Sequence, residues 1–220
     1  MSEDVHRRLL DAGYREVERW RISEVLGFVR RELDARTWVL QGAFAALAFA
    51  AAVGVTYAYW DVADGARLVP DVVAPFGAGC LAMLVAVVPH ELLHGLAYKL
   101  TGAPRVAYGA DFRKLVFHAS APDHVLTARQ LYFVALVPLV VLTAVMAVAL
   151  AVSGGWWWWF WFGLVLTHTQ GCLGDLALVS YFVRHRARGE WITYDAGATE
   201  EFVLMVRTPE AANTNADARA

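Results

Sequence analysis

The residues with the clearest chemical meaning run His-Glu-Leu-Leu-His at positions 90–94. On a helix, His90 and His94 are one turn apart and face the same way, so their two imidazoles can hold one metal ion. Glu91 lies close enough to that face to polarise a water molecule on the metal. This arrangement is typical of zinc-dependent hydrolases, in which the glutamate acts as the catalytic base.

The motif lies in an apolar part of a chain whose charges are segregated. Of the 220 residues, 58% are hydrophobic and 18% are charged, and four long segments hold almost none of the charges. Each is longer than the about 20 residues that a helix needs to cross the hydrocarbon layer of a bilayer. These segments are 38–60, 72–100, 131–152 and 156–183. We predict an all-α integral membrane protein with four transmembrane helices, of which the second carries the motif.

Two of the predicted spans contain all of the ionisable residues in the four spans. Apart from Lys99, which marks its cytoplasmic end, the second holds His90, Glu91 and His94, and the fourth holds His168 and Asp175. Ionisable groups inside a bilayer are costly, face the bundle interior and mark function by default. Counting about 1.5 Å per residue from the cytoplasmic ends of the spans places Asp175 at the depth of the two histidines. Two histidines, one carboxylate and a water form a catalytic zinc site, so we predict Zn²⁺ at His90, His94 and Asp175.

Three further side chains are candidates for supporting the site or contacting substrate: His168, Gln170 and His118. His168 precedes Asp175 by seven residues, which on a straight helix places it about 10 Å further from the cytoplasmic side. We therefore do not expect it to bind the same ion, and a hydrogen bond within the helix bundle is the alternative to a role near the metal. His118 lies in the loop after the second span, where it could cover the site or stay solvated.

The distribution of Lys and Arg predicts the orientation. The N-terminal segment has eight of them, the loop between the second and third spans has five, and the C-terminal tail has five. The loop between the first two spans has Arg67 alone, and the loop between the last two has none. Since positive residues stay inside, both termini and the middle loop are predicted to be cytoplasmic. We expect a multi-pass protein of the cytoplasmic membrane, with its site towards the cytoplasm.

Three regions follow from this division: a juxtamembrane segment 1–37, a four-helix region 38–183 and a tail 184–220. The first is too charged for a signal peptide, so the first span is expected to stay as an anchor. Its apolar residues follow helical spacing and predict an amphipathic helix, which either lies on the membrane or packs on the rest of the chain. They are Ile22, Val25, Leu26, Val29 and Leu33.

The connections outside the spans carry weaker patterns. Residues 105–108 and 114–117 flank a turn-like Gly-Ala-Asp at 109–111, which predicts a short β-hairpin between the second and third spans. An exposed edge of that hairpin could hold an extended peptide, or the hairpin could be a simple connector. The tail has no clear periodicity, and residues 211–220 have a composition typical of disorder.

Charge and cysteine positions also indicate which partners and covalent links to expect. A net charge of −2 gives no basis for binding nucleic acid. Cys80 and Cys172 fall towards opposite faces of the membrane, so we expect no disulfide between them. The expected partners are the lipid bilayer and a peptide embedded in it or close to it.

The chain resembles the small four-span membrane proteins classed as zincin peptidases and, beyond them, the site-2 protease type of intramembrane metalloprotease. The resemblance covers about residues 12–205. It is carried by residues 13–14 (Gly-Tyr), 90–94 (His-Glu-Leu-Leu-His), 108–112 (Tyr-Gly-Ala-Asp-Phe), 136–138 (Leu-Val-Pro) and 171–175 (Gly-Cys-Leu-Gly-Asp).

This resemblance implies that His90, His94 and Asp175 hold the metal and that Glu91 is catalytic. It implies the hydrolysis of peptide bonds in membrane-associated substrates. The chain departs from the site-2 protease pattern at the third ligand, because that family has Asp-Gly there and here Leu176 follows Asp175. A metal carrier, a metal sensor and an inactive scaffold are the alternatives that the same residues leave open.

Overall fold

The computed structural model describes residues 2–21, 24–111, 113, 116–197 and 201–208. The helices of this part of the chain are α1 Ser2–Asp11, α2 Val25–Asp34, α3 Trp38–Ala63, α4 Val69–Leu100, α5 Ala128–Val152, α6 Trp156–Gly171 and α7 Leu173–His185. Its strands are β1 Arg15–Arg21, β2 Ala107–Asp111, β3 Val116–Ser120, β4 Leu126–Thr127, β5 Glu190–Ala196 and β6 Glu201–Arg207.

Three helices are long and apolar enough to cross a membrane, namely α3, α4 and α5. The predicted fourth span is instead two helices, α6 and α7, which meet at Cys172 with a bend of 42°. The described chain therefore offers three spans, or four if the bent pair crosses as one. Hydropathy alone does not reveal such a break, because the apolar composition continues through it.

The close contact between α4 and α6 depends on two glycines. A Cβ atom on Gly79 or on Gly163 would overlap a backbone carbonyl oxygen of the opposite helix. Glycine lets the two backbones approach each other at these positions. Gly171 and Gly174, near the start of α7, do not make a contact of this kind. A Cβ on Gly171 would meet only the flexible end of a methionine, and Gly174 faces open space.

A four-stranded antiparallel sheet in the order β1-β6-β5-β4 lies between α1 and the ends of the long helices. Its side chains alternate between the two faces, as β-structure requires. Phe202 and Leu204 of β6 pack with residues of α4, α5 and α7, while Val203 and Met205 pack with α1. The all-α prediction is therefore wrong in leaving out this sheet, which pairs residues from the N-terminal segment with residues from the tail.

The amphipathic helix predicted near the N-terminus is present as α2, although Ile22 lies outside the described residues. Phe28 is buried and packs on Trp20 and Tyr181, with ring centroids 5.1 and 5.7 Å apart. Glu32 is buried and forms an ion pair with Arg184 of α7. Burial raises the pKa of Glu32, and the guanidinium opposes that shift. The helix thus packs on the rest of the chain, which was one of the two expectations.

The predicted hairpin is confirmed, with its turn later than expected. Strands β2 and β3 pair from Ala107 opposite Ser120 to Asp111 opposite Val116. The Gly-Ala-Asp at 109–111 therefore belongs to a strand and not to the turn. Cys80 and Cys172 are both free thiols, as predicted. Residues 211–220, predicted to be disordered, lie outside the described residues.

Candidate metal centre

Three ligand-type side chains converge where α7 approaches α4. His94 Nε2 lies 3.1 Å from His90 Nε2. The two carboxylate oxygens of Asp175 lie 3.4 Å from His90 Nε2 and 3.3 Å from His94 Nε2. One ligand atom from each residue lies within 4.8 Å of the other two. The structure thus brings together the three residues that the sequence nominated as metal ligands.

Hydrogen bonds set which ring nitrogens can bind a cation. His94 Nδ1 lies 2.9 Å from the carbonyl oxygen of Val134, and because a carbonyl only accepts, this nitrogen carries the proton. In the neutral ring, His94 Nε2 then has an unshared electron pair, which faces His90 Nε2 and Asp175. The Nε2 atoms of two histidines beside one carboxylate are a ligand set that a divalent cation can bind. The donor set therefore fits zinc.

His168 lies beside His90 and not further out along the helix. The two ring centroids are 5.5 Å apart, and His168 Nε2 lies 3.4 Å from His90 Nδ1. His168 Nδ1 lies 3.4 Å from the hydroxyl oxygen of Thr143. The estimate of about 10 Å assumed a straight helix, whereas the bend between α6 and α7 falls between His168 and Asp175. The side chain is fully buried, and its contact within the bundle is a contact with His90, one of the candidate metal ligands.

A second set of ligand atoms shares His90. Cys172 Sγ lies 3.9 Å from His90 Nδ1 and 3.8 Å from His168 Nε2. One ligand atom from each of these three residues also lies within 4.8 Å of the other two. Cys172 is not among the site residues predicted from the sequence. Its spacing of four residues from His168 was an available signal, because it places both side chains on one helix face. The two sets use opposite nitrogens of His90.

Glu91 faces a cavity of about 470 Å³ that also exposes His90, His94 and Asp175. Ala119 of β3 lines the same cavity. The Glu91 carboxylate oxygen Oε2 is buried and has no hydrogen-bond partner within the described chain. The protein therefore leaves one oxygen of this carboxylate without a partner.

The walls of the cavity are mostly apolar and come from α2, α4, β3, α5, α6, α7 and the sheet. Gln170 and His118, both nominated from the sequence, are part of this lining. His118 is partly buried and its ring lies over Gly109 of the neighbouring strand. His168 supports His90 from behind and is not among the lining residues.

Sequence reasoning missed the part of the wall that the sheet provides, namely Trp20, Asp195 and Phe202. A signal was present in the tail, because residues 191–194 and 202–206 are rich in β-branched and aromatic residues on either side of Gly197. Such a pattern is typical of two strands joined by a turn. The pairing of β6 with β1 has no local signal of that kind.

Residues 83–188 match the model of a protein family described as "putative zincin peptidase". The matched region is just under half of the chain. It contains both ligand sets and Glu91, and it ends before β5. The family suggests a metallopeptidase that uses zinc, in agreement with the donor set. No curated protein and no solved structure matches the chain.

Proposed function

We propose that this protein is a membrane-embedded zinc metallopeptidase that hydrolyses peptide bonds. One observation carries the proposal: His90, His94 and Asp175 converge beside a Glu91 carboxylate that has a free oxygen in an apolar cavity. The match to a family of zincin peptidases supports the same reaction class. His90, His94 and Asp175 would hold the metal.

Zinc, when bound, supplies a Lewis acid that activates water and stabilises negative charge on a peptide carbonyl oxygen. Glu91 accepts the proton of the attacking water on its free oxygen and then delivers it to the leaving amine. The Val134 carbonyl keeps the proton of His94 on Nδ1, and His168 packs against the ring of His90.

The substrate that fits this site is a peptide in the membrane or close to it. Strand β3 lines the cavity next to Glu91 and pairs only with β2 among the described strands. An extended peptide can hydrogen-bond to an unpaired strand edge of this kind, and the apolar walls would accept its side chains. The hairpin thus serves as a substrate-binding edge in this proposal, rather than as a simple connector.

The proposal places the protein in the cytoplasmic membrane as a multi-pass protein in contact with the bilayer. The Lys- and Arg-rich segments, the sheet and the opening of the site are then on the cytoplasmic side, as the positive-inside rule favours. Nucleic acid has no role in it.

Replacing Glu91 with glutamine tests the reaction. The variant keeps the size of the side chain and removes its basicity, so cleavage of membrane peptides should fall by about 10²- to 10⁴-fold. The purified variant should still contain zinc in the same amount as the wild type. Glu24→Gln, a change on the exposed start of α2, is the matched control and should cleave normally. Full activity of Glu91→Gln would exclude the proposed mechanism.

A metal carrier is the second candidate, and the second ligand set favours it. His90 is shared by both sets, so a metal ion could pass from one side of its ring to the other. In that case Glu91→Gln would leave zinc uptake into vesicles intact, while His94→Ala would abolish it. Loss of peptide cleavage in Glu91→Gln without loss of zinc excludes this candidate.

A further inference from the structure

Asp195 lies in the cavity wall that the sheet provides, away from the metal ligands. It alternates along β5 with Trp191 and Thr193 and so belongs to the face of the sheet that points to the long helices. It is 6% exposed and lines the cavity together with Trp20 and Phe202. A carboxylate thus stands in an otherwise apolar section of the wall.

Among the described residues, no charged group of opposite sign lies against Asp195. Oδ2 accepts one hydrogen bond, from the backbone N–H of Ala121 at 2.9 Å. Oδ1 accepts none from the described residues, and no Lys, Arg or His of the described chain forms an ion pair with Asp195. Burial raises the pKa of this carboxyl from 3.8 to about 7. An uncompensated buried carboxylate destabilises a fold, and an asparagine would keep the same hydrogen bond without the charge.

The cavity as a whole favours a cation. Three carboxylates line it, Glu91, Asp175 and Asp195, whereas no Lys or Arg does among the described residues. Glu91 and Asp175 belong to the metal site, which leaves the Asp195 charge for another group. Trp20 and Phe202 stack beside it with ring centroids 4.8 Å apart and offer aromatic surface to an alkyl stem or a cation.

Asp195 and Glu91 line the same cavity. A peptide whose cleavable bond lies at Glu91 therefore also passes along the wall that carries Asp195.

We propose that Asp195 is a specificity-determining residue, which binds a lysine or arginine side chain of the peptide substrate. The cation donates a charge-assisted hydrogen bond to Oδ1, while the Ala121 amide holds Oδ2. This inference rests on the proposed peptidase function, because it names the substrate class of the same cavity.

A purely structural role is the competing explanation. Asp195 anchors the chain after β3 through the Ala121 N–H bond to Oδ2 and through its own carbonyl, which accepts from the Asp123 N–H at 2.8 Å. Asp195→Asn keeps a side-chain oxygen for the first bond and leaves the second unchanged. It therefore removes the charge and retains the anchor, which separates the two roles.

Peptide binding to zinc-loaded Glu91→Gln protein in detergent tests the proposal without turnover. The probes are fluorescent alanine–leucine decapeptides with one lysine at successive positions, each paired with a peptide that has uncharged norleucine there. For at least one position, lysine should bind about 10-fold tighter than norleucine. In Glu91→Gln/Asp195→Asn the two peptides should bind equally. Glu91→Gln/Asp64→Asn, which removes an exposed charge at the end of α3, should keep the preference.

Two outcomes would overturn the proposal: the same lysine preference with and without the Asp195 charge, or no preference in Glu91→Gln at any position. Equal zinc content shows that the variants are folded. Because binding needs no hydrolysis, the two proposals can fail separately. A lysine preference without any cleavage by wild-type protein refutes the peptidase, and cleavage without the preference refutes the role of Asp195.

Discussion

Asp175 and Asp195 line the same cavity, but their environments differ in kind. Asp175 faces the Nε2 atoms of two histidines, at 3.4 and 3.3 Å. Asp195 faces one backbone N–H in an apolar wall. The first carboxylate belongs to a cluster whose remaining electron pairs converge on one point, which suits a metal ion. The second has one free oxygen and no cluster, which suits a single cation brought by a substrate.

The two carboxylates also come from different parts of the chain. Asp175 belongs to the helical region that the hydropathy pattern reveals. Asp195 belongs to β5, a strand of the sheet in which the N-terminal segment and the tail meet. The metal site and the proposed recognition site therefore depend on different structural layers, and variants can separate them.

The largest difference is expected in metal binding. Asp175→Ala should lower the zinc affinity of purified protein by more than about 100-fold, because it removes a ligand and even residues that only orient ligands are worth 10- to 100-fold. Asp195→Ala should keep one zinc ion per chain. Elemental analysis after dialysis against a weak chelator measures both. If both variants lose zinc equally, the two carboxylates do not have separate roles.

The next effect is a loss of folding stability at high pH, where the buried Asp195 side chain becomes charged. Its pKa in the folded protein is about 7 and its ordinary value is 3.8, so between these values the folded state binds a proton that the unfolded state has lost. Stability from this group is therefore present below pH 3.8 and is lost as the pH rises through 7. The full difference corresponds to about 4 kcal/mol as an upper limit.

Asp195→Asn should accordingly be more stable than the wild type at pH 8, by up to about 4 kcal/mol, and close to it at pH 4. Thermal unfolding of both proteins in detergent at several pH values measures this. The hydrogen bond from Ala121 acts in the opposite direction and remains in the variant. A stability difference that does not change with pH would show that the Asp195 charge is not buried as described.

A smaller effect on zinc affinity is expected for residues that contact a metal ligand without binding the metal. His168→Leu removes the partner of His90 Nδ1 and should lower zinc affinity by about 10- to 100-fold without abolishing binding. Thr143→Val, which removes the contact on the far side of His168, should have a weaker effect in the same direction. Competition with a fluorescent chelator gives the affinities. Unchanged affinity in His168→Leu would mean that His90 needs no such support.

The smallest effect is expected for Cys172→Ala, which should change zinc affinity by less than about 10-fold. Cys172 contacts only the Nδ1 side of His90, away from Asp175. The same chelator competition decides the point. Complete loss of zinc in this variant would assign the metal to His90, His168 and Cys172 in place of the set that includes Asp175.

Much of the helical region could be predicted from local patterns. Helical periodicity alone places His90 and His94 on one face, and the amphipathic α2 follows from its apolar spacing. The depth estimate for Asp175 agrees with the observed contacts, while the same counting misplaced His168. The reason is the bend at Cys172, which changes the direction of the chain between these two residues. Counting along a helix holds only where the helix is straight.

The sequence by itself determined which residues could form a metal site and which segments are apolar enough to cross a membrane, because both follow from residue type and local spacing. The tertiary structure decided that His168 and Cys172 stand behind His90 and that Asp195 faces the same cavity. Those contacts arise from a helix break and from strands paired across nearly the whole chain, such as Arg15 opposite Val206. Pairing at that separation depends on packing against the helix ends, which no local pattern records.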